Sequence, residues 1–130
     1  MSFTGIHHIV IRVNDLEASA RHWAEQLGFS KPRFGENPAL GVKQAFFDLP
    51  AGGFVELIAP LHAEADLARA LAAKGEGVHL ISMSVASPPD KAAELKDQGV
   101  GVIGQEGGPY FVHPKSASGV MLGLAQAETV

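Results

Sequence analysis

The chain contains no cysteine, which removes disulfide staples and thiolate chemistry from the outset. It has no apolar run of membrane-spanning length. Positive charge is scarce: the formal net charge is −4 and no basic stripe occurs, so a nucleic-acid partner is not expected. The opening Met-Ser-Phe-Thr-Gly has no basic stretch followed by an apolar one, so export is not expected and a cytoplasmic location is. No nucleophile elbow, phosphate loop or His-Glu-x-x-His run is found. Residues 99–104, Gly-Val-Gly-Val-Ile-Gly, match a dinucleotide fingerprint only in letters, because they follow a helical pattern and lead into a strand.

What is present is the composition of an ordinary soluble domain, 46% apolar and 18% charged over 130 residues. Residues 5–13, Gly-Ile-His-His-Ile-Val-Ile-Arg-Val, recur as residues 77–85, Gly-Val-His-Leu-Ile-Ser-Met-Ser-Val. Each run opens on glycine and is followed by a turn and a helical pattern, the mark of a duplicated supersecondary unit. Where the first copy has His8, the second has Leu80.

Alternation predicts a strand over 6–13, with His8, Val10 and Arg12 on one face and Ile9, Ile11 and Val13 on the other. Asn14 or Asp15 caps a helix, with Glu17 as a capping-box partner, a buried stripe of Leu16, Ala20, Trp23 and Leu27, and Gly28 beyond its end. A strand is expected within Phe29–Phe34, weakened by Pro32. Val42–Leu49 and Phe54–Ile58 form a hairpin about residues 50–53. An alanine- and leucine-rich helix over 63–74 ends at Gly75 and links two halves. A strand follows at Val78–Val85, then a helix from Ser87-Pro88 to Leu95 that Gly99 ends. Val100–Ile103, Tyr110–His113 and Val120–Ala125 are further strands. The expected class is α+β, a single domain of module one (5–61), linker helix (63–75) and module two (77–127); a ferredoxin-like sandwich shares the rhythm and is the next choice.

The segments His7-His8-Ile9 before Asn14-Asp15-Leu16, Leu27-Gly28-Phe29, Val55-Glu56-Leu57-Ile58-Ala59-Pro60, Gly75-Glu76-Gly77-Val78-His79 and His113-Pro114-Lys115-Ser116 before Gly119-Val120 together carry a resemblance running from Gly5 to Gln126. The chain resembles the vicinal oxygen chelate superfamily of glyoxalases, bleomycin-resistance proteins and extradiol dioxygenases, nearest in pattern to methylmalonyl-CoA epimerases. The resemblance implies two tandem βαβββ modules forming a curved, half-open, barrel-like mixed sheet about a central cleft, and a homodimer. It implies a divalent metal held by four ligands, of which the first two fall on His8 and Glu56. The third falls on Leu80 and the fourth on Gly123, while a carboxylate base of the epimerases falls near Gln44.

Two ligands are too few for tight binding. No cofactor is therefore expected, with a divalent ion (Zn, Ni, Co, Mn or Mg) at low occupancy on His8 and Glu56 as the alternative. His79 points to the face opposite Leu80 and cannot replace it without a bulge, so it reads as a helix-facing or edge histidine. Two first modules meeting about a two-fold axis would assemble two His8 and two Glu56, one metal per two chains. Arg12 either supplies the missing positive charge, paired with Glu56 or a ligand carboxylate, or reaches solvent from the strand's end.

Three functions are open. The first is a divergent isomerase, epimerase or lyase acting on a small oxygenated or acyl-thioester substrate, with Glu56 as base and Arg12 or His8 at the enolate oxygen. This is not a standard metal-dependent methylmalonyl-CoA epimerase, since Gln44 and Gly123 lack both expected carboxylates. The second is a metal-independent drug or metabolite binder whose pocket is lined by His8, Val10, Arg12, Gln44, Leu80, Ser82, Met121 and Gly123, with Ser84 as a further polar contact. The third is a scaffold whose pocket has lapsed. Lys115 and Ser116, with Gly107-Gly108, either hold a carboxylate or CoA-like tail or are ordinary turn chemistry. His22 and His62 read as exposed.

Overall fold

Strand alternation and helix capping produce the same order of elements twice. The computed structural model describes residues 1–127. The first run is β1 (Phe3–Arg12), α1 (Leu16–Glu25), β2 (Arg33–Asn37), β3 (Val42–Asp48) and β4 (Phe54–Pro60). After α2 (Asp66–Lys74) the second is β5 (Gly77–Val85), α3 (Pro88–Asp97), β6 (Val102–Ile103), β7 (Tyr110–Val112) and β8 (Leu122–Gln126). A single 3₁₀ turn, Pro114–Ser116, precedes β8. The class is α+β with a tandem βαβββ order, as expected. No described helix is long and apolar enough to cross a membrane.

The chain forms two compact units, one of residues 10–78 and one of residues 1–9 with the chain from His79 onward. In the first unit β2, β3 and β4 make an antiparallel ladder with Phe34 opposite Ala45 and Phe46 opposite Glu56. Ala45, Phe47, Val55, Leu57 and Ala59 lie on one face of it and close over Leu16 and Ala20 of α1, with Val13. Trp23 and Phe29 complete this core, Trp23 stacking 6.3 Å from Phe47 and Phe29 meeting it edge-on at 5.4 Å. The other face therefore carries Gln44, Phe46, Phe54, Glu56 and Ile58, away from the helix.

In the second unit β5 pairs with β8 in parallel, and β8 and β6 flank β7 in antiparallel fashion. Val85, Tyr110, Val112 and Leu124 pack under Ala92 of α3. Leu80, Ser82 and Gly123 lie on the reverse face by alternation.

Local chemistry explains where elements stop. Asp15, not Asn14, caps α1 by accepting the Ala18 amide, so the third helical position is Ala18 and no capping box forms. Glu17 instead faces Lys43 at 3.6 Å. The helix ends at Glu25, two residues short of Leu27, which is therefore exposed at 53% and not part of the buried stripe. Pro32 delays β2 to Arg33, so the strand expected within 29–34 is shifted onward. The linker helix starts at Asp66, later than residue 63, and has no side-chain cap; Gly75 ends it with φ +75°, a conformation natural to glycine. The strands expected from Val100 and Val120 each begin two residues later, at Val102 and Leu122, and the one expected to reach His113 stops at Val112.

Candidate functional site

Glu56 is the most unusual side chain of the first unit. It sits mid-strand on β4, only 9% exposed, on the face away from α1. Its direct cross-strand neighbour is Phe46, and its same-face neighbours along β4 are Phe54 and Ile58. Gln44, one pair further along β3, donates Nε2–H to Glu56 Oε2 at 3.1 Å. Burial pushes the Glu56 carboxyl above its ordinary range, and the Gln44 hydrogen bond pulls part of the way back. Such a shift makes the carboxylate a stronger base than an exposed glutamate.

Arg12 is placed otherwise than the charge argument expected. Its Nε donates to the Gly75 carbonyl and its Nη1 to the Val78 carbonyl, both at 2.7 Å. The guanidinium thus ties the end of β1 to the turn after α2 and to the start of β5, and Glu76 strengthens the tie by accepting the Asn14 amide at 2.8 Å. No Arg12–Glu56 ion pair is among the described interactions, and Arg12 does not figure in the causes acting on Glu56. Arg12→Met is expected to cost about 1–2 kcal/mol, because two carbonyls lose a charged donor. That loss should appear in thermal melts as a fall in Tm.

His8 lies in the other unit, half-buried, with its Nδ1 2.8 Å from Nδ1 of His7. One ring must donate and the other accept, so the two cannot both be charged at that contact. Burial, reinforced by His7, lowers the His8 pKa to about 4. In the unfolded chain it returns to about 6.5. Between those values the unfolded chain binds a proton that the folded chain refuses, so stability falls as pH drops from about 6.5 toward 4. Urea midpoints measured across this window should decline in the native protein and decline less in His8→Gln.

Within the same unit Leu80, Ser82 and Gly123 come together. A Cβ at Gly123 would stand 3.5 Å from Leu80 Cδ1 and 3.2 Å from Ser82 Oγ. Ser82 is opposite Gly123 in the β5–β8 ladder and is 5% exposed. The two positions at which the resemblance places ligands therefore offer hydrocarbon and bare backbone. Among the described residues no group of three or more His, Cys, Asp or Glu is gathered as a metal set. The donor set does not fit a tightly held divalent ion.

Val10 is buried, and Met121, one residue before β8, accepts the Ile81 amide through its carbonyl at 3.1 Å. The Ser84 carbonyl accepts the Thr4 hydroxyl. Ser116 Oγ accepts the Gly101 amide and His113 Nδ1 the Lys115 amide, which is turn chemistry. His22 is exposed, as is His62, which lies 3.3 Å from Glu64. His79 is half-buried on the face of β5 that carries Val85.

Sequence reasoning passed over Phe46, Phe54 and the pair Arg33–Asp48. Alternation outward from Glu56 along β4 points to Phe54, but the cross-strand register that brings Phe46 opposite is a tertiary fact.

Comparison with known proteins finds relatives over most of the chain. The family model described as Glyoxalase/Bleomycin resistance protein/Dioxygenase superfamily matches residues 7–114. An ethylmalonyl-CoA/methylmalonyl-CoA epimerase of Cereibacter sphaeroides is 32% identical, with 93% of this chain and 96% of the relative covered. The mitochondrial methylmalonyl-CoA epimerase of Homo sapiens is 30% identical over 94% of this chain and 73% of its own. A structure of a Streptomyces coelicolor methylmalonyl-CoA epimerase variant in complex with 2-nitronate-propionyl-CoA superposes with a TM-score of 0.84 at 31% identity, covering 98% of this chain and all (100%) of that one.

Proposed function

Because this chain belongs to the glyoxalase/bleomycin resistance protein/dioxygenase superfamily, we propose that it is an epimerase-like protein that removes and returns the α-proton of a small acyl thioester through Glu56. The observation that carries this reading is the Glu56 carboxylate itself. It is buried on a sheet face turned away from the helix, held by Gln44, and raised toward the working range of a general base. Acyl thioesters enter as the substrate class because the similar proteins are named as acting on, or are seen with, CoA thioesters.

Position 44 is an amide and position 123 has no side chain, so a second carboxylate on the opposite side of the substrate is missing from both places the resemblance suggests. A single base removes a proton and returns one to the same side, so exchange with solvent outruns inversion. Incubation of CoA thioesters in deuterium oxide should give α-deuteration that is faster than racemisation. Methylmalonyl-CoA itself should show little or none.

A second reading is favoured by one observation, the Leu80 side chain lying over Gly123. That packing suits a metal-independent binder whose pocket is apolar. Thermal stabilisation by thioesters without any α-exchange would support it and overturn the catalytic reading. In both readings metal analysis of protein purified without chelators should find well below one ion per chain.

A further inference from the structure

We infer that the group carried beside the reacting carbon is apolar, an aliphatic or aromatic acyl chain without a second carboxylate, because the described face around Glu56 offers aromatic surface and both of its arginines already donate to protein acceptors. The inference rests on the reading of Glu56 as the proton-transferring residue and concerns which substrates reach it.

Alternation places two arginines on this face within the unit of residues 10–78, Arg12 and Arg33. Arg12 donates to two carbonyls, as described. Arg33 grips Asp48 with a two-pronged contact, Nε to Oδ2 at 2.7 Å and Nη2 to Oδ1 at 2.9 Å. The pair raises Arg33 and lowers Asp48 from their ordinary values through that hydrogen bonding, which marks both as charged. A ligand carboxylate approaching Arg33 would meet the carboxylate of Asp48 already in place.

The surface between that pair and Glu56 is aromatic. The Arg33 guanidinium lies 5.1 Å above the Phe46 ring. Phe46 and Phe54 meet edge to face with centroids 5.8 Å apart. Both rings are half-buried and flank Glu56, one across the ladder and one along its own strand. Apolar surface of this kind favours a hydrocarbon or aryl group and penalises a bare carboxylate, which would be desolvated without a partner. A malonyl-type acyl group is thereby disfavoured, and a neutral α-branched acyl group is favoured.

The experiment compares 2-phenylpropionyl-CoA and 2-methylbutyryl-CoA with methylmalonyl-CoA in two assays. α-Deuteration by the native protein tests whether Glu56 transfers protons. Calorimetric binding to Glu56→Gln tests the preference without any chemistry. The neutral thioesters should bind at least tenfold more tightly than methylmalonyl-CoA, and should exchange faster. Asp48→Asn, at an exposed position that leaves the core intact, releases Arg33 and should narrow or reverse the binding preference. Phe46→Leu should raise the Kd of the phenyl compound severalfold and leave that of methylmalonyl-CoA unchanged. Equal or tighter binding of methylmalonyl-CoA, an unchanged preference in Asp48→Asn, or no binding of any of the three would overturn the inference. Binding with the stated preference but no exchange would overturn only the catalytic reading.

Discussion

Glu56→Gln is expected to lower α-proton exchange by 10²–10⁴-fold, the usual contribution of a positioned general base, while thioester binding persists. The amide keeps the shape of the side chain and can still meet Gln44, whose own carbonyl and amino groups allow either direction of the hydrogen bond. What is lost is the basicity of the carboxylate, since an amide oxygen does not take up the proton. Stability moves the other way. Burial favours the protonated carboxyl in the folded chain, so the stability present at acidic pH is lost as pH rises from the ordinary glutamate value through the raised one. The amide has no proton to lose and escapes this decline. The variant should therefore melt at or above the native temperature at pH 7–8 and show no advantage near pH 4. An exchange rate within threefold of the native one would remove Glu56 from the chemistry. A large fall in Tm at neutral pH would show that its charge is compensated by contacts stronger than the Gln44 bond.

The second large effect concerns the core. Phe47 on β3 has 0% exposure and is enclosed by Trp23 of α1 and by Phe29, which follows the helix. Phe47→Ala should cost about 3–5 kcal/mol, combining lost transfer energy with a cavity that rigid neighbours cannot fill. For a domain of this size that corresponds to a fall in Tm on the order of 10–15 °C. Phe47→Leu keeps most of the volume and should lose about a third as much. Because β3 also carries Gln44 and Phe46 on its other face, the alanine variant should loosen the Glu56 hydrogen bond as well. Denaturant melts with unchanged slope and a loss below about 1 kcal/mol would contradict this account of the core.

Of the four positions at which the resemblance implies metal ligands, Leu80 and Gly123 offer only a hydrocarbon side chain and bare backbone.

Much of this was legible in the residues alone. The period-two pattern of His8, Val10 and Arg12 against Ile9, Ile11 and Val13 assigns faces, since side chains on a strand must alternate. The repeat of 5–13 at 77–85 determined the tandem order, and Gly75 marked the end of a helix because few other residues accept its backbone angles. Leu80 and Gly123 as departures from the ligand pattern were likewise readable from sequence. The partners of the long polar side chains were not. Arg12 finds carbonyls 63 and 66 residues away, and Gln44 rather than Arg12 reaches Glu56. Alternation says which face a side chain leaves from, but the register between strands and the position of a distant turn decide what its far end meets.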